Sequence, residues 1–327
     1  METRYLLIQR LADGKFHSGE GLAQTLGISR TAVWKYLKGL REQLGIDIHA
    51  VTGRGYCLPY PLDLLDTEKI MQALPAKTLK HLHNLEVQYS IDSTNAYLLR
   101  QAAAGASSGS VCMAEQQTAG RGRRGRHWVS PFGSNIYLSI LWRYPLAPSE
   151  LSGLSLAAGL AIMRALSNLG VTNVGLKWPN DILWQEQKLA GLLLEVKGES
   201  EGPSQVVLGV GLNTHLTHQQ AKDISQPWVD LASISRGNDI ERNRLAAELI
   251  QQLINALDSF GQEGLLPLLD EWHHHDLYYG KQVKLRMGDL TIEGVHAGVG
   301  KTGALLLSHG GSTRAYHAGE VSLRLSG

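Results

Sequence analysis

Two cysteines, Cys57 and Cys112, are all that the 327 residues contain. That is too few for a disulfide framework, and too few to build a zinc site alone. No run is apolar enough to cross a bilayer: the best stretch, Leu151 to Leu166, carries Gly and Ser and is interrupted by Arg164. Neither sign of charge is in excess. Lys plus Arg number 31 and Asp plus Glu 30, a net charge of +1, so bulk attraction to nucleic acid or membrane is excluded and basic regions must be sought locally. The start, METRYLLIQR, has no apolar run behind a basic end, which predicts no secretory signal. These absences together predict a cytoplasmic, reducing-compartment protein with no membrane partner. What is present is ordinary for a globular chain: 43% hydrophobic and 19% charged residues. At about 150 residues per domain the length suits two or three domains.

Charge is unevenly placed. Residues 1–58 hold eight Lys or Arg against five Asp or Glu, a balance of +3, while the remainder is at −2. The basic segment ends at Pro59-Tyr60-Pro61, a stiff break suited to a domain boundary. Within it the pattern predicts a helix from Glu2 to Ala12, a second behind Ser18 and a third behind Ser29. The third carries Val33, Leu37, Leu40 and Leu44 on one stripe and Arg30, Thr31, Lys35, Lys38 and Arg41 elsewhere. Two alternating segments, Ile46 to Val51 and Tyr56 to Leu58, flank the turn Thr52-Gly53-Arg54-Gly55. Helix, tight turn, helix and basic-tipped hairpin resemble a winged helix-turn-helix. Ser29, Arg30, Thr31, Lys35 and Lys38 are then candidates for a DNA groove, and Arg54 for backbone phosphate.

From Asp66 to about Asp276 helices and strands alternate, an α+β or α/β mixture. Strands are predicted at Leu85–Ser90, Ser110–Ala114, Asn135–Trp142, Gly191–Lys197 and Val206–Leu212, and helices at Thr67–Leu74, Thr94–Ala104, Leu151–Leu169, Arg242–Ser259 and Leu265–His274. After residue 280 five short strands with Gly-containing turns predict a small antiparallel barrel.

The densest unusual segment is Gly120-Arg121-Gly122-Arg123-Arg124-Gly125-Arg126-His127-Trp128. It contains GxGxxG, but the helix that a dinucleotide site needs is absent, since Ser130, Pro131 and Gly133 follow. Four arginines in six residues repel one another, which predicts a loop that is mobile without a ligand. Glycines let backbone N–H groups approach an anion while arginines neutralise it, so a phosphate or carboxylate site is the better reading. Lys177-Trp178-Pro179-Asn180-Asp181 stands at a strand end, and Lys188-Leu189-Ala190-Gly191 leads into an apolar strand. Taken alone, Lys188 reads as solvent-facing. Gly300-Lys301-Thr302 lacks the upstream glycine of a phosphate loop and reads as a β-turn. His273-His274-His275 reads as a helix end rather than a metal site, and Cys112 as a small core residue.

The runs GRGRRGRHW, KWPND and KLAG, in that order, resemble the bifunctional biotin–protein ligases that also act as the biotin operon repressor. The resemblance extends to Asp92-Ser93-Thr94-Asn95, Gly209-Val210-Gly211-Leu212-Asn213 and Gly319-Glu320-Val321-Ser322-Leu323-Arg324, and so to nearly the whole chain. It implies an α+β architecture. A winged helix-turn-helix would occupy 1–62, a mixed α/β catalytic domain with a largely antiparallel sheet 66–276, and a small SH3-like β-barrel 280–327.

It also implies a reaction. Biotin and ATP form biotinyl-5′-AMP, and biotin then passes to a lysine of the biotin carboxyl carrier protein of acetyl-CoA carboxylase. Lys188, Arg121, Arg123 and Asp181 would be catalytic, with Mg²⁺ assisting. Ser93, Thr94, Asn95, Gln117, Gly122, Gly209 and Gly211 would join Arg121, Arg123 and Lys188 around biotin. Trp128, Asn180, Asn213 and Arg324 would contact the adenylate. The adenylate-bound form would dimerise and bind operator DNA. Two rivals are a lipoate-type acyl ligase and a ligand-sensing repressor without catalysis. The arginine–glycine loop ending in Trp128 counts against the first, and the intact Lys188, Arg121 and Arg123 against the second.

Overall fold

Two serines decide where the early helices begin. Ser18 Oγ accepts from the Gly21 amide at 2.9 Å and Ser29 Oγ from the Ala32 amide at 3.1 Å, each satisfying a donor that a helix leaves open at its start. Helix α1 (Glu2–Leu11) precedes α2 (Gly19–Leu26) and α3 (Arg30–Leu44), and Gly27 at φ +64° makes the turn between the last two. α3 buries Val33, Leu37, Leu40 and Leu44, the stripe its sequence predicts. Strands β1 (His49–Val51) and β2 (Gly55–Cys57) pair as an antiparallel hairpin. β1 is shorter than the alternation suggests because Ile48 turns into the core before it begins, while β2 has the expected length one residue earlier. The computed structural model describes residues 2–235, 240–318 and 321–325.

The middle of the chain runs α4 (Thr67–Ala73), α5 (Ala76–Leu79), β3 (Asn84–Gln88), α6 (Thr94–Ala103), β4 (Ser110–Ala114), β5 (Asn135–Tyr144) and α7 (Leu154–Asn168). It continues through β6 (Val174–Lys177), β7 (Asp181–Trp184), β8 (Gln187–Gly198), β9 (Ser204–Asn213), α8 (Leu231–Ser235), α9 (Arg242–Glu263) and α10 (Leu269–His275). The seven strands order as β3-β4-β5-β9-β8-β7-β6, with only the β3–β4 pair parallel. KWPND does stand at a strand end, since β6 closes on Lys177, but the sequence pattern delimits neither β6 nor β7; at four residues each, they are too short to show a period. Helix α7 starts at Leu154 rather than Leu151, because Pro148–Leu151 forms a 3₁₀ turn ahead of it.

The sheet has two unlike faces. On β5 the side chains of Ile136, Leu138 and Ile140 enter the main core with α7 and α9. Their neighbours alternate to the other side, where Leu141 meets Leu98, Ala102 and Cys112 in a smaller cluster. Cys112 is fully buried there. That second face also carries the site.

Strands β10 (Gln282–Met287), β11 (Leu290–Val299), β12 (Leu305–His309), β13 (Ser312–Tyr316) and β14 (Val321–Leu325) make an antiparallel sheet ordered β13-β12-β11-β10-β14. Val283, Leu285, Leu305, Leu307 and Leu323 join the main core. Gly300-Lys301-Thr302 is a turn closed by the Gly303 amide on Gly300 O at 2.8 Å. His273, at the end of α10, has its ring nitrogen 3.1 Å from both the amide and the carbonyl of Val299. Gly319 and Glu320 lie outside the described residues.

The N-terminal helices are tied to the middle of the chain. Their core includes Phe132, and Tyr89 joins it to the helices, meeting Tyr5 edge-on and Phe132 at a tilt with centroids 5.6 and 5.0 Å apart. Beyond Pro61 the linker is stitched down: the Leu65 amide donates to Glu115 Oε1 and the Arg242 amide to Asp63 Oδ2. The Arg242 guanidinium sits 3.0 Å from Glu115 Oε2 and also donates to the carbonyls of Asp63 and Asn135. Both side chains of this pair are nearly or fully sequestered, at 7% and 0% exposure. Replacing Arg242 with Met therefore strands a buried carboxylate. Urea denaturation of this variant is expected to show a loss of about 3–5 kcal/mol, much of it recovered when Glu115→Gln is added.

Candidate active site

The floor of the site follows from strand register. In antiparallel pairs directly opposed residues share a face, which groups Tyr137, Gly211 and Gly191 in one row and Ser139, Gly209 and Leu193 in the next. A Cβ on Gly211 would stand 2.4 Å from Trp128 Cε2, and one on Gly209 would stand 2.2 Å from Asn95 Oδ1. Both glycines are thus required by the site's own side chains, which is a closer reason than room for a ligand ring.

At one end of the floor lies a corner of hydroxyls and amides. Ser93 caps α6 and presents Thr94 and Asn95 on its first turn. Gln117 Oε1 accepts from the Thr94 amide at 2.9 Å and from Thr94 Oγ1 at 3.2 Å, while Gln117 Nε2 donates to Ser130 Oγ at 3.1 Å. Ser139 Oγ stands 2.7 Å from Thr94 Oγ1 and 2.6 Å from Asn95 Oδ1. Asn95 Nδ2 donates to Glu195 Oε2 at 2.8 Å. Such a corner offers donors and acceptors side by side, which suits a neutral ring with both kinds of group.

The arginine-rich segment is a small hairpin. It closes through the Gly122 amide on Arg126 O at 2.7 Å and the Trp128 amide on Gly120 O at 2.9 Å, with Arg124 at φ +60° in its tip. Its arginines diverge, which relieves their mutual repulsion. Arg121 reaches Glu195 at 3.4 Å, Arg123 donates to Asn180 Oδ1 at 3.2 Å and to Ala318 O, and Arg124 and Arg126 are exposed. Trp128 returns to the floor, where the Lys188 ammonium lies 5.3 Å from its ring centroid.

Opposite the hairpin, Asp181 Oδ1 is 2.6 Å from Lys188 Nζ, and Asp181 Oδ2 is 3.8 Å from Lys177 Nζ. Burial alone would raise the Asp181 carboxyl, but the two ammoniums outweigh it and hold the group below the usual carboxylate range. Lys177 shows the converse. Burial pushes its ammonium down to about 8, and Asp181 only partly offsets this. Lys188 is 13% exposed and paired, so its reading as a solvent-facing residue is corrected. The cleft enclosed by these groups measures about 860 Å³.

Residues 87–213 match the biotin/lipoate A/B protein ligase family, 3–57 an HTH domain and 278–324 the biotin protein ligase C terminal domain. The bifunctional ligase/repressor BirA of Escherichia coli is 43% identical over 318 residues, 97% of this chain and 96% of that protein. The chain belongs to the bifunctional ligase/repressor family. The biotin–[acetyl-CoA-carboxylase] ligase of Mycobacterium tuberculosis is 36% identical over 72% of this chain and 88% of its own length. A biotin protein ligase from Aquifex aeolicus, solved in complex with biotin and ATP, aligns with a TM-score of 0.64 at 29% identity, over 75% of this chain and all of that one.

In this family member all the sequence-predicted ligase positions line one cleft: Ser93, Thr94, Asn95, Gln117, Arg121, Gly122, Arg123, Trp128, Asn180, Asp181, Lys188, Gly209, Gly211, Asn213 and Arg324. Two of them work partly as braces. Asn213 Nδ2 donates to the carbonyls of Lys188 and Val229, and Asn180 Nδ2 to Leu192 O. Lys177, Trp228 and Tyr278 also line the cleft, and Glu195 braces it through Asn95 and Arg121; the sequence pattern assigns none of them a role. Lys177 begins the KWPND run and could have been found there; the others carry no local signal. On the N-terminal helices Arg30, Thr31, Lys35 and Lys38 are exposed, Ser29 is exposed but spends its hydroxyl on capping, and Arg54 lies 3.9 Å over the Phe16 ring.

Lys177 gives the site a pH dependence of definite sign. Its ammonium is present below about pH 8 and lost above it, so anions bind better on the acid side. Sulfate, whose own charge is constant over this range, is expected to bind roughly tenfold more weakly at pH 9.5 than at pH 7. Tryptophan fluorescence titration reads this, and Lys177→Met should flatten the dependence.

Proposed function

We propose that the chain activates biotin with ATP to biotinyl-5′-AMP, and then transfers biotin to a lysine of a biotin carboxyl carrier protein. The adenylate-loaded form also acts as a DNA-binding repressor. One observation carries the catalytic reading: Lys188, Lys177, Arg121 and Arg123 converge on a single cleft beside a hydroxyl–amide corner. Two anions, the biotin carboxylate and the triphosphate, repel each other, and fixed cations remove that barrier.

In the first step a carboxylate oxygen attacks the α-phosphorus, a new C–O–P linkage forms, and the bond to pyrophosphate breaks. Thr94, Asn95 and Gln117 hold the ureido ring, with Ser139 bracing the first two from behind, leaving the carboxylate to face Lys188. Arg121 and Arg123 neutralise phosphate oxygens as charge develops, and Trp128, Asn180, Asn213 and Arg324 border the nucleotide. Mg²⁺, when bound with ATP, would add charge neutralisation; Asp181 is committed to two lysines and would not be free to hold it.

In the second step the neutral acceptor amine attacks the activated carbonyl, an amide C–N bond replaces the C–O bond to the phosphate, AMP leaves, and the amine proton passes to the departing phosphate or to solvent. A carboxylate held below its usual range is a poor base. Asp181 therefore acts by placing Lys188, and does not take the amine proton.

The repressor reading rests on the N-terminal helices and their local excess of positive charge. A single small basic domain binds DNA weakly, and two on one dimer gain by effective concentration. The adenylate promotes that dimer, while carrier protein consumes the adenylate and opposes it. The reaction and the regulation both belong in the cytoplasm, where carboxylases and genes are found together.

Replacing Lys188 with Ala is expected to slow biotin-dependent ATP–pyrophosphate exchange by roughly 10²- to 10³-fold. Exchange near the normal rate would refute the assignment, as would exchange supported by lipoate in place of biotin. Sedimentation with and without biotinyl-5′-AMP tests the coupling, and a monomer–dimer equilibrium indifferent to the adenylate would end it.

A further inference from the structure

Helix α3 turns its core side, Val33, Leu37, Leu40 and Leu44, inward. At 100° per residue the positions Arg30, Trp34, Lys38 and Arg41 fall within one 80° sector on another side. All four are exposed. Trp34 is the unexpected member. It is 52% exposed, the one tryptophan among the large apolar side chains left uncovered in the described residues.

Its surroundings are cationic. The Lys38 ammonium lies 5.8 Å from the Trp34 ring centroid, and Arg30, Lys35 and Arg41 complete a basic surface on the same helix. An indole held under an ammonium has limited freedom and keeps its outer edge available. A protein partner would find this surface charged. A polyanion finds it complementary, and the local balance of +3 in residues 1–58 agrees.

We infer that Trp34 is a specificity-determining contact for duplex DNA, reading the 5-methyl group of thymine in the major groove. The inference rests on the repressor reading above and adds a residue and a base to it. A helix of this kind enters the major groove. Its lysines and arginines meet phosphates, which carry no sequence information. Every polar edge in that groove calls for a donor or an acceptor, whereas the one apolar feature there is the thymine methyl. Trp34 is the side chain of this face able to pack against it.

The test uses the full-length chain with biotin and ATP, and duplexes selected from a random 40-base-pair library. Thymines of the selected duplex are then replaced one at a time by deoxyuridine, which lacks only the methyl. The wild-type chain is expected to lose about fourfold in affinity at one or more positions in each half-site, the worth of one buried methyl. Trp34→Ala should bind thymine and deoxyuridine duplexes equally there, with an unchanged salt dependence and melting temperature, and Trp34→Phe should restore part of the discrimination. A selected motif whose thymine preference survives in Trp34→Ala, or is absent from the wild type, overturns the inference alone. Failure of the wild type to select any motif overturns the repressor reading with it.

Discussion

The rest of the site depends on how its like charges are held together. Lys177, Lys188, Arg121 and Arg123 point into one cleft, and without counter-charge they would push it open. Asp181 holds two of them and Glu195 takes a third, while the fourth is tied to Asn180 and to the carbonyl of Ala318, just beyond β13. The cations are therefore placed before any anion arrives, and little reorganisation remains to be done at the moment of reaction. The short strands β6 and β7 make this possible. Their register sets Lys177 opposite Asp181, and β7 pairing with β8 brings Lys188 alongside.

Small residues on the floor are the second requirement. With glycine at 191, 209 and 211, Trp128 and Asn95 can lie directly against β8 and β9. A single methyl group at Gly209 or Gly211 would collide with a side chain that itself shapes the cleft. The side chains of the cleft and the strand composition thus form one solution, in which neither half fits without the other.

The same elements join the cleft to the N-terminal helices. Gln117 in the polar corner is two residues beyond Glu115, whose carboxylate accepts from the linker amide of Leu65 and pairs with Arg242. Phe132, a few residues after Trp128, packs in the core of the N-terminal domain. A ligand that changes the hairpin between them acts on a segment whose far end is part of that core. This gives adenylate binding and DNA binding a shared physical frame.

Much of this was legible in the chain alone. Serine caps, the stripe of one valine and three leucines on α3, the arginine–glycine run and the order of KWPND and KLAG are local patterns. Local patterns survive without tertiary context because hydrogen-bonding caps and helical periodicity act over a few residues. What lay beyond reach is long-range. Lys188 reads as solvated until Asp181 is brought to 2.6 Å by a strand too short to announce itself. Glu195 shows its purpose only when β8 passes beneath Asn95, one hundred residues earlier in the chain. Gly211 looks like an ordinary strand glycine until the indole of Trp128 is laid over it. Residue type alone settles which side chains can carry charge, cap helices and bend the chain. Which charges neutralise one another is settled by folding, because that depends on distances of a few ångströms between segments far apart along the chain.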